Sequence, residues 1–190
     1  LENFINKHQI DGILVRSATQ IRQELIDACP SIKLIGRGGV GMDNIDVNYA
    51  IDQGIHVINT PKASSNSVAE LVFAHLFGMV RFLHQSNREM PLEGDSRFKD
   101  LKKAYGLGSE LRGKKIGIVG FGRIGQEVAR IALGLGMEVL ATDLFTESAP
   151  ISIEFFNGQK ITITIETTDL DTLLKESDFI SLHVPVQENY

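Results

Sequence analysis

K-K-I-G-I-V-G-F-G-R-I-G, residues 114–125, decides the reading of this chain. Ile116, Ile118 and Val119 make an apolar run the length of a buried strand. The glycines that follow make a turn, and residues 123–134 read as a helix. A tight turn at Gly120 needs glycine, Gly122 lets backbone approach a pyrophosphate, and Gly125 lets helix and strand pack closely. The helix start at Arg123 and Ile124 offers unpaired N–H groups and a partial positive charge to phosphates. A second apolar strand, 137–141, leads to Asp143, whose carboxylate is placed to accept hydrogen bonds from both hydroxyls of a ribose. A bare GxGxxG is a weak signal, and a strand-end aspartate is more often a solvated loop acid. Strand, glycine turn, helix, strand and acid in this order point to a dinucleotide. No Arg or Lys occurs between Arg130 and Lys160, so nothing nearby pairs with a 2′-phosphate, and Asp143 would repel one. The expected dinucleotide is NAD.

Composition narrows the partners. With 190 residues and 43% apolar content the chain can build one large or two small cores. A net charge of −5 disfavours a nucleic-acid surface. The single cysteine, Cys29, cannot close an internal disulfide and reads as a small buried hydrophobe, which fits a reducing cytoplasm. The five histidines show no ligand spacing, so no metal site is expected. The longest apolar run, 68–83, is broken by Glu70, His75 and Arg81 and is too short to span a bilayer. The chain opens without methionine and stops just after an apolar strand, so it reads as part of a longer protein.

Outside the glycine turn the pattern is β–α alternation, which implies parallel sheets covered on both faces. Helices are expected over 1–9, 19–29 and 47–53, and strands over 12–15, 33–36 and 55–58. Residues 62–66 read as a polar connector. Ser67 and Glu70 then spell a capping box opening a helix to about residue 85, apolar nearly all round and so buried between domains or subunits. Residues 86–115 read as a charged entry to the second unit, with a short helix near 98–105. Two alternating strands, 151–156 and 161–165, flank Asn157-Gly158. Parity favours a three-residue loop with Gly158 left-handed, pairing Ile153 with Ile161, Ile151 with Ile163 and Glu154 with Lys160. A helix over 170–175 and a strand over 179–182 close the pattern.

Several strings together resemble one family. D-G-I-L-V-R-S-A-T (11–19), G-R-G-G-V-G-M-D-N-I-D (36–46), N-T-P (59–61), S-V-A-E (67–70), L-R-G-K-K-I-G-I-V-G-F-G-R-I-G (111–125) and S-D-F-I-S-L-H-V-P (177–185) occur in the order found in NAD-dependent D-2-hydroxyacid dehydrogenases. V-R-S-A-T and G-R-G-G-V-G lean toward the branch acting on 3-phosphoglycerate. The resemblance implies two Rossmann-like domains with parallel sheets, both incomplete here. A flavodoxin-like substrate domain would cover 1–62 and an NAD-binding domain 63–190. It implies that Arg16, Ser17 and Arg37 reach a substrate phosphate and that the amides of Gly38 and Gly39 hold its carboxylate. Two arginines near strand ends beside a glycine nest also make an anion site on physical grounds. The plainer alternative is that Arg16 and Arg37 bond loop carbonyls at the surface.

By the same resemblance Val40, Gly120, Gly122, Arg123, Ile124, Gly125 and Asp143 contact the cofactor. His183, Val184 and Pro185 line its nicotinamide side. His183 would be a wall residue, because the family's carbonyl-polarising Arg and its His–Glu pair lie beyond the L-H-x-P turn. The catalytic residues are therefore expected beyond Tyr190. Ser64 and Val40 depart from the family's usual asparagine and hydroxyl residue, and the 151–166 hairpin is an addition. The implied activity is oxidation of 3-phosphoglycerate to 3-phosphohydroxypyruvate in serine biosynthesis. The alternatives are a hydroxypyruvate or glyoxylate reductase and, in another class, an NAD-sensing corepressor-like protein. A homodimer or higher homo-oligomer is implied, with no nucleic-acid or membrane partner.

Overall fold

The computed structural model describes residues 1–185. It is α/β throughout, and the chain divides into two compact units, Leu1–Ser64 and the residues from Ser65 onward. In the first unit, α1 (Glu2–His8), β1 (Gly12–Val15), α2 (Gln23–Ala28), β2 (Leu34–Arg37), α3 (Val47–Asp52) and β3 (His56–Asn59) alternate. Their strands form a parallel sheet in the order β1-β2-β3. Its core is nearly all isoleucine, with Ile13, Ile21, Ile26, Ile35 and Ile45 buried together with Cys29. Helix α2 is shorter than the sequence pattern suggested. Ile21 instead bridges to Ile45, its N–H donating to Asn44 O at 2.8 Å while Asp46 N–H donates to Ile21 O at 2.9 Å, so Ile21 and Arg22 stay extended.

The second unit contains α4 (Ser65–Val80), α5 (Leu83–Tyr105), β4 (Lys115–Val119), α6 (Arg123–Gly134), β5 (Glu138–Thr142), β6 (Ser148–Glu154), β7 (Lys160–Glu166), α7 (Leu170–Glu176) and β8 (Phe179–Leu182). Its parallel sheet runs β5-β4-β8, so consecutive crossovers leave β4 in opposite directions. In open α/β sheets ligands bind at the carboxyl end of such a reversal. Ile116, Ile118 and Phe121 pack with Val128, Ala129 and Ala132 of α6 in the main core.

Three expectations fail around α4 and α5. Helix α4 starts at Ser65, not after a cap at Ser67, because the Glu70 carboxylate accepts from Asn66 Nδ2 at 2.9 Å along the helix. Residues 62–64 are turn, not free connector. Within this unit α4 buries Ala69, Phe73 and Leu76, and Leu71 and Met79 lie exposed on the side expected to meet another domain or subunit. Most of the stretch read as charged entry is helix α5, which runs on through Pro91 and bends at Arg97. It is held by polar pairs, Glu93 with Arg97 and Tyr105 Oη donating to Glu89 Oε2 at 2.6 Å. That bond pushes the Tyr105 hydroxyl up to about 12.

Strands β6 and β7 form a separate antiparallel hairpin with Ile153 opposite Ile161, Ile151 opposite Ile163 and Glu154 opposite Lys160. Phe155 N–H donates to Gln159 O at 2.8 Å, and Gly158 has φ 82°. This is the three-residue loop that the parity of the isoleucines demanded. No single helix among the described residues is long and apolar enough to cross a membrane.

Candidate functional site

The glycine turn sits at the carboxyl end of β4, where the strand order reverses. Gly120 has φ 94°, and its N–H donates to Thr142 O at 2.9 Å, tying the turn to β5. A Cβ on Gly120 would also lie 2.6 Å from His183 O, so both conformation and space demand glycine. The Phe121 side chain is fully buried and anchors the turn from below, and Gln126 Nε2 donates to Phe121 O at 3.0 Å. Gly122 is the N-cap of α6 and supplies no side-chain cap to its first amides. A Cβ on Gly122 would meet nothing within 4 Å, so the turn opens there into free space. A Cβ on Gly125, by contrast, would overlap Gly120 O, which lets the helix start press against the turn. The result is a 12-residue helix aiming uncapped N–H groups, those of Arg123 and Ile124 included, at open space.

Asp143 lies one residue past β5, half-buried. Its Oδ2 accepts from Phe121 N–H at 2.7 Å, and Oδ1 accepts from the N–H groups of Phe145 and Thr146 at 2.8 and 3.0 Å. Burial works against its charge, but the backbone N–H groups of Phe145, Phe121 and Thr146 outweigh it and hold the carboxyl below the ordinary aspartate range. A carboxylate has about four acceptor positions. With at least three in use, Asp143 already spends most of that capacity inside the fold. Its pattern in the sequence carried no hint of this second duty, fastening the glycine turn to the end of β5.

The L-H-V-P turn follows β8 beside the glycine turn. His183 N–H donates to Val119 O at 2.7 Å, and its Nε2 lies 2.8 Å from Ser181 Oγ. Burial pushes His183 below the ordinary histidine value, so the ring is neutral at pH 7. Among the described residues no histidine is hydrogen-bonded to a carboxylate. Val184 and Pro185 are exposed at the rim. The described residues also contain no cluster of His, Cys, Asp or Glu able to hold a metal ion.

In the first unit the carboxyl ends of β1, β2 and β3 surround a cavity of about 260 Å³ lined by Arg16, Arg37, Gly38, Asn59 and Thr60 among others. Arg16 and Ser17 are exposed. Arg37 is half-buried and folds over its own loop, with Nη1 donating to Gly38 O at 3.2 Å. The guanidinium occupies the space a side chain on Gly39 would need. Its Nε is buried with no acceptor among the described residues. The Gly38 and Gly39 amides are not open to a ligand here, since they donate to Val15 O and Arg37 O at 2.8 and 2.9 Å. The next two amides, Val40 and Gly41, have no acceptor among the described residues. Two asparagines missed in the sequence hold this loop cluster. Buried Asn44 donates to Arg16 O and Thr19 O at 3.0 and 2.7 Å, and Asn59 donates to Val40 O at 2.8 Å.

The sequence profile of the D-isomer specific 2-hydroxyacid dehydrogenase catalytic domain matches residues 2–167. The chain belongs to this family. It is 42% identical over 181 residues to a hydroxypyruvate reductase of Thermotoga maritima, covering 95% of this chain and 53% of that protein. It is 38% identical over 177 residues to a D-3-phosphoglycerate dehydrogenase of Synechocystis, covering 93% of this chain and 29% of that one. The crystal structure of D-lactate dehydrogenase from Aquifex aeolicus, complexed with NAD and lactic acid, superimposes with a TM-score of 0.70 at 34% identity. That likeness covers 99% of this chain and 51% of the lactate enzyme. The chain thus spans about half, or less, of the length of these relatives. The names of these two sequence relatives point to different acids.

Proposed function

We propose that this chain supplies the cofactor turn and the substrate-anion loops of an NAD-dependent D-2-hydroxyacid dehydrogenase. The observation that carries the reading is the uncapped start of α6 at the open Gly122, set at the strand-order reversal with Asp143 at the end of the neighbouring strand. These residues fit a dinucleotide. The Arg123 and Ile124 amides bind the pyrophosphate, Asp143 accepts from the adenosine ribose, and His183, Val184 and Pro185 wall the nicotinamide. When bound, NAD supplies the hydride acceptor. Neutral His183, paired with Ser181, positions and excludes water; proton transfer falls to residues outside the described ones.

On the substrate side, Arg16, Ser17 and Arg37 take the anionic end of the acid. The unpaired Arg37 Nε supports this, because a buried cationic donor without an acceptor is satisfied by an entering anion. With the Gly38 and Gly39 amides engaged in the loop, the Val40 and Gly41 amides are the donors we assign to the carboxylate. The preferred substrate is 3-phosphoglycerate. Hydroxypyruvate or glyoxylate is the second reading, favoured by the 42% identity to a hydroxypyruvate reductase. Arg37→Ala in the full chain separates them. A charge-assisted hydrogen bond is worth about 1.5–3 kcal/mol, so kcat/KM for 3-phosphoglycerate should fall about ten- to hundredfold. Turnover of glyoxylate should change little. Equal losses on both acids would transfer the assignment to the reductase.

A further inference from the structure

The 148–166 hairpin has no place in the dinucleotide site, and its outer strand is an open edge. Among the described residues β7 pairs only with β6, apart from a single bridge from Thr167 to Ala141 just past its end. The ladder is bracketed by Phe155 N–H to Gln159 O at 2.8 Å and Thr167 N–H to Glu147 O at 2.9 Å. Antiparallel pairs alternate, so Ile153–Ile161, Ile151–Ile163 and Ala149–Ile165 bond inward. The backbone groups of Lys160, Thr162, Thr164 and Glu166 therefore face outward. On the other side of the hairpin Pro150, opposite Thr164, interrupts the outward edge of β6 because it has no N–H. One edge is blunted and the other is not.

The open edge reads K-I-T-I-T-I-E, residues 160–166, and it is complementary to itself. Turned antiparallel about Ile163, it sets Lys160 against Glu166, Thr162 against Thr164 and Ile163 against its own equivalent. The outward-facing residues then coincide with those that must exchange hydrogen bonds. The apolar face needs the same neighbour. Ile151 and Ile165 are buried at 3% and 8% exposure, but Ile161 and Ile163 on the same face are 52% and 41% exposed. We propose that β7 pairs with β7 of a second copy of this chain, forming a continuous four-stranded antiparallel sheet across a two-fold axis at Ile163. Ile161 then meets Ile165 of the partner subunit, and two Lys160–Glu166 pairs fix the register. Lysine on an edge strand ordinarily discourages pairing; here each lysine finds a carboxylate on the incoming copy.

The test is site-directed disulfide formation in the full chain. Buried Cys29 can remain. At the axis Ile163 faces itself in a non-hydrogen-bonded pair, whose Cα atoms lie about 4.5 Å apart, within disulfide reach. Under oxidised glutathione, Ile163→Cys should give a covalent dimer at least about tenfold faster than Ile161→Cys, whose equivalents are out of register. Adding Thr164→Pro removes an outward N–H without touching the bonds to β6, and should lower the rate to that of Ile161→Cys. In the Ile163→Cys background, Lys160→Glu should slow cross-linking, and Lys160→Glu with Glu166→Lys should restore it. Equal rates at 161 and 163, or rates indifferent to both the proline and the charge swap, would overturn the proposal. That is the outcome if another segment of the protein covers β7.

Discussion

Gly120 shows how little freedom a single residue has at the glycine turn. Its left-handed backbone and the approach of His183 O reject any side chain together. Gly120→Ala should therefore cost more than the roughly 1 kcal/mol of an ordinary glycine substitution, because strain and overlap add. A urea melt and an NAD titration check this, with a lower midpoint and weakened binding expected. Asp143 is offered for two duties at once, and a substitution that keeps its shape bears on both. The wild-type chain should prefer NAD to NADP by at least about tenfold, since a carboxylate beside a 2′-phosphate is a like-charge contact. Asp143→Asn keeps an oxygen for the Phe145 and Thr146 amides, removes the charge and turns Nδ2 toward the Phe121 N–H, so it should narrow that ratio and lower the urea midpoint together. A ratio unchanged by the substitution would remove Asp143 from cofactor selection.

At the scale of elements, the hairpin and α5 illustrate opposite cases. The hairpin register followed from the sequence because side chains alternate with period two, so a one-residue slip would turn the whole isoleucine face over. Its stability is concentrated where that face meets the core. Ile151→Ala should cost about 2–4 kcal/mol, whereas Phe156→Ala at the fully exposed loop tip should stay within about 0.5 kcal/mol. Chemical denaturation of the two variants side by side reads the difference. Helix α5 was hidden by Pro91, Gly94 and a polar composition, all of which argue locally against a helix. Glu93 with Arg97 is a local i,i+4 pair, but the Tyr105–Glu89 bond joins residues sixteen positions apart, and no local pattern announces it.

Across the molecule, acid should weaken the second unit in two stages. Burial lowers the His183 value below 6.5, so the folded state favours the neutral ring. An unfolded chain takes that proton first, and the His183 contribution is full above pH 6.5 and declines below it. Asp143, Asp169 and Asp178 are all held below the ordinary 3.8. Backbone donation does this at Asp169 from Thr172 and at Asp178 from Lys115, and at Asp143 it does so against burial. Their stabilisation is present above that value and disappears as the pH falls through their folded values. The urea midpoint should fall gently below pH 6.5 and steeply below about pH 4. A midpoint flat down to pH 4 would deny His183 its buried, neutral state.

The sequence by itself determined the order of strands and helices apart from the length of α5, the glycine turn, the hairpin register and the family, because periodicity and backbone constraints act between residues close along the chain. It also put Asp143 just past the end of β5 and Arg37 at the end of β2. Only the tertiary structure decided which atoms those loops leave open. The three amides on the Asp143 carboxylate come from two separate turns, and Asn44 reaches back 28 residues to hold Arg16 O. The amides of Gly38 and Gly39 are taken by Val15 and Arg37 carbonyls, which leaves the donors one step further along. Hydrogen-bond capacity is shared among whatever the fold brings within about 3 Å, and that sharing is invisible until distant segments meet.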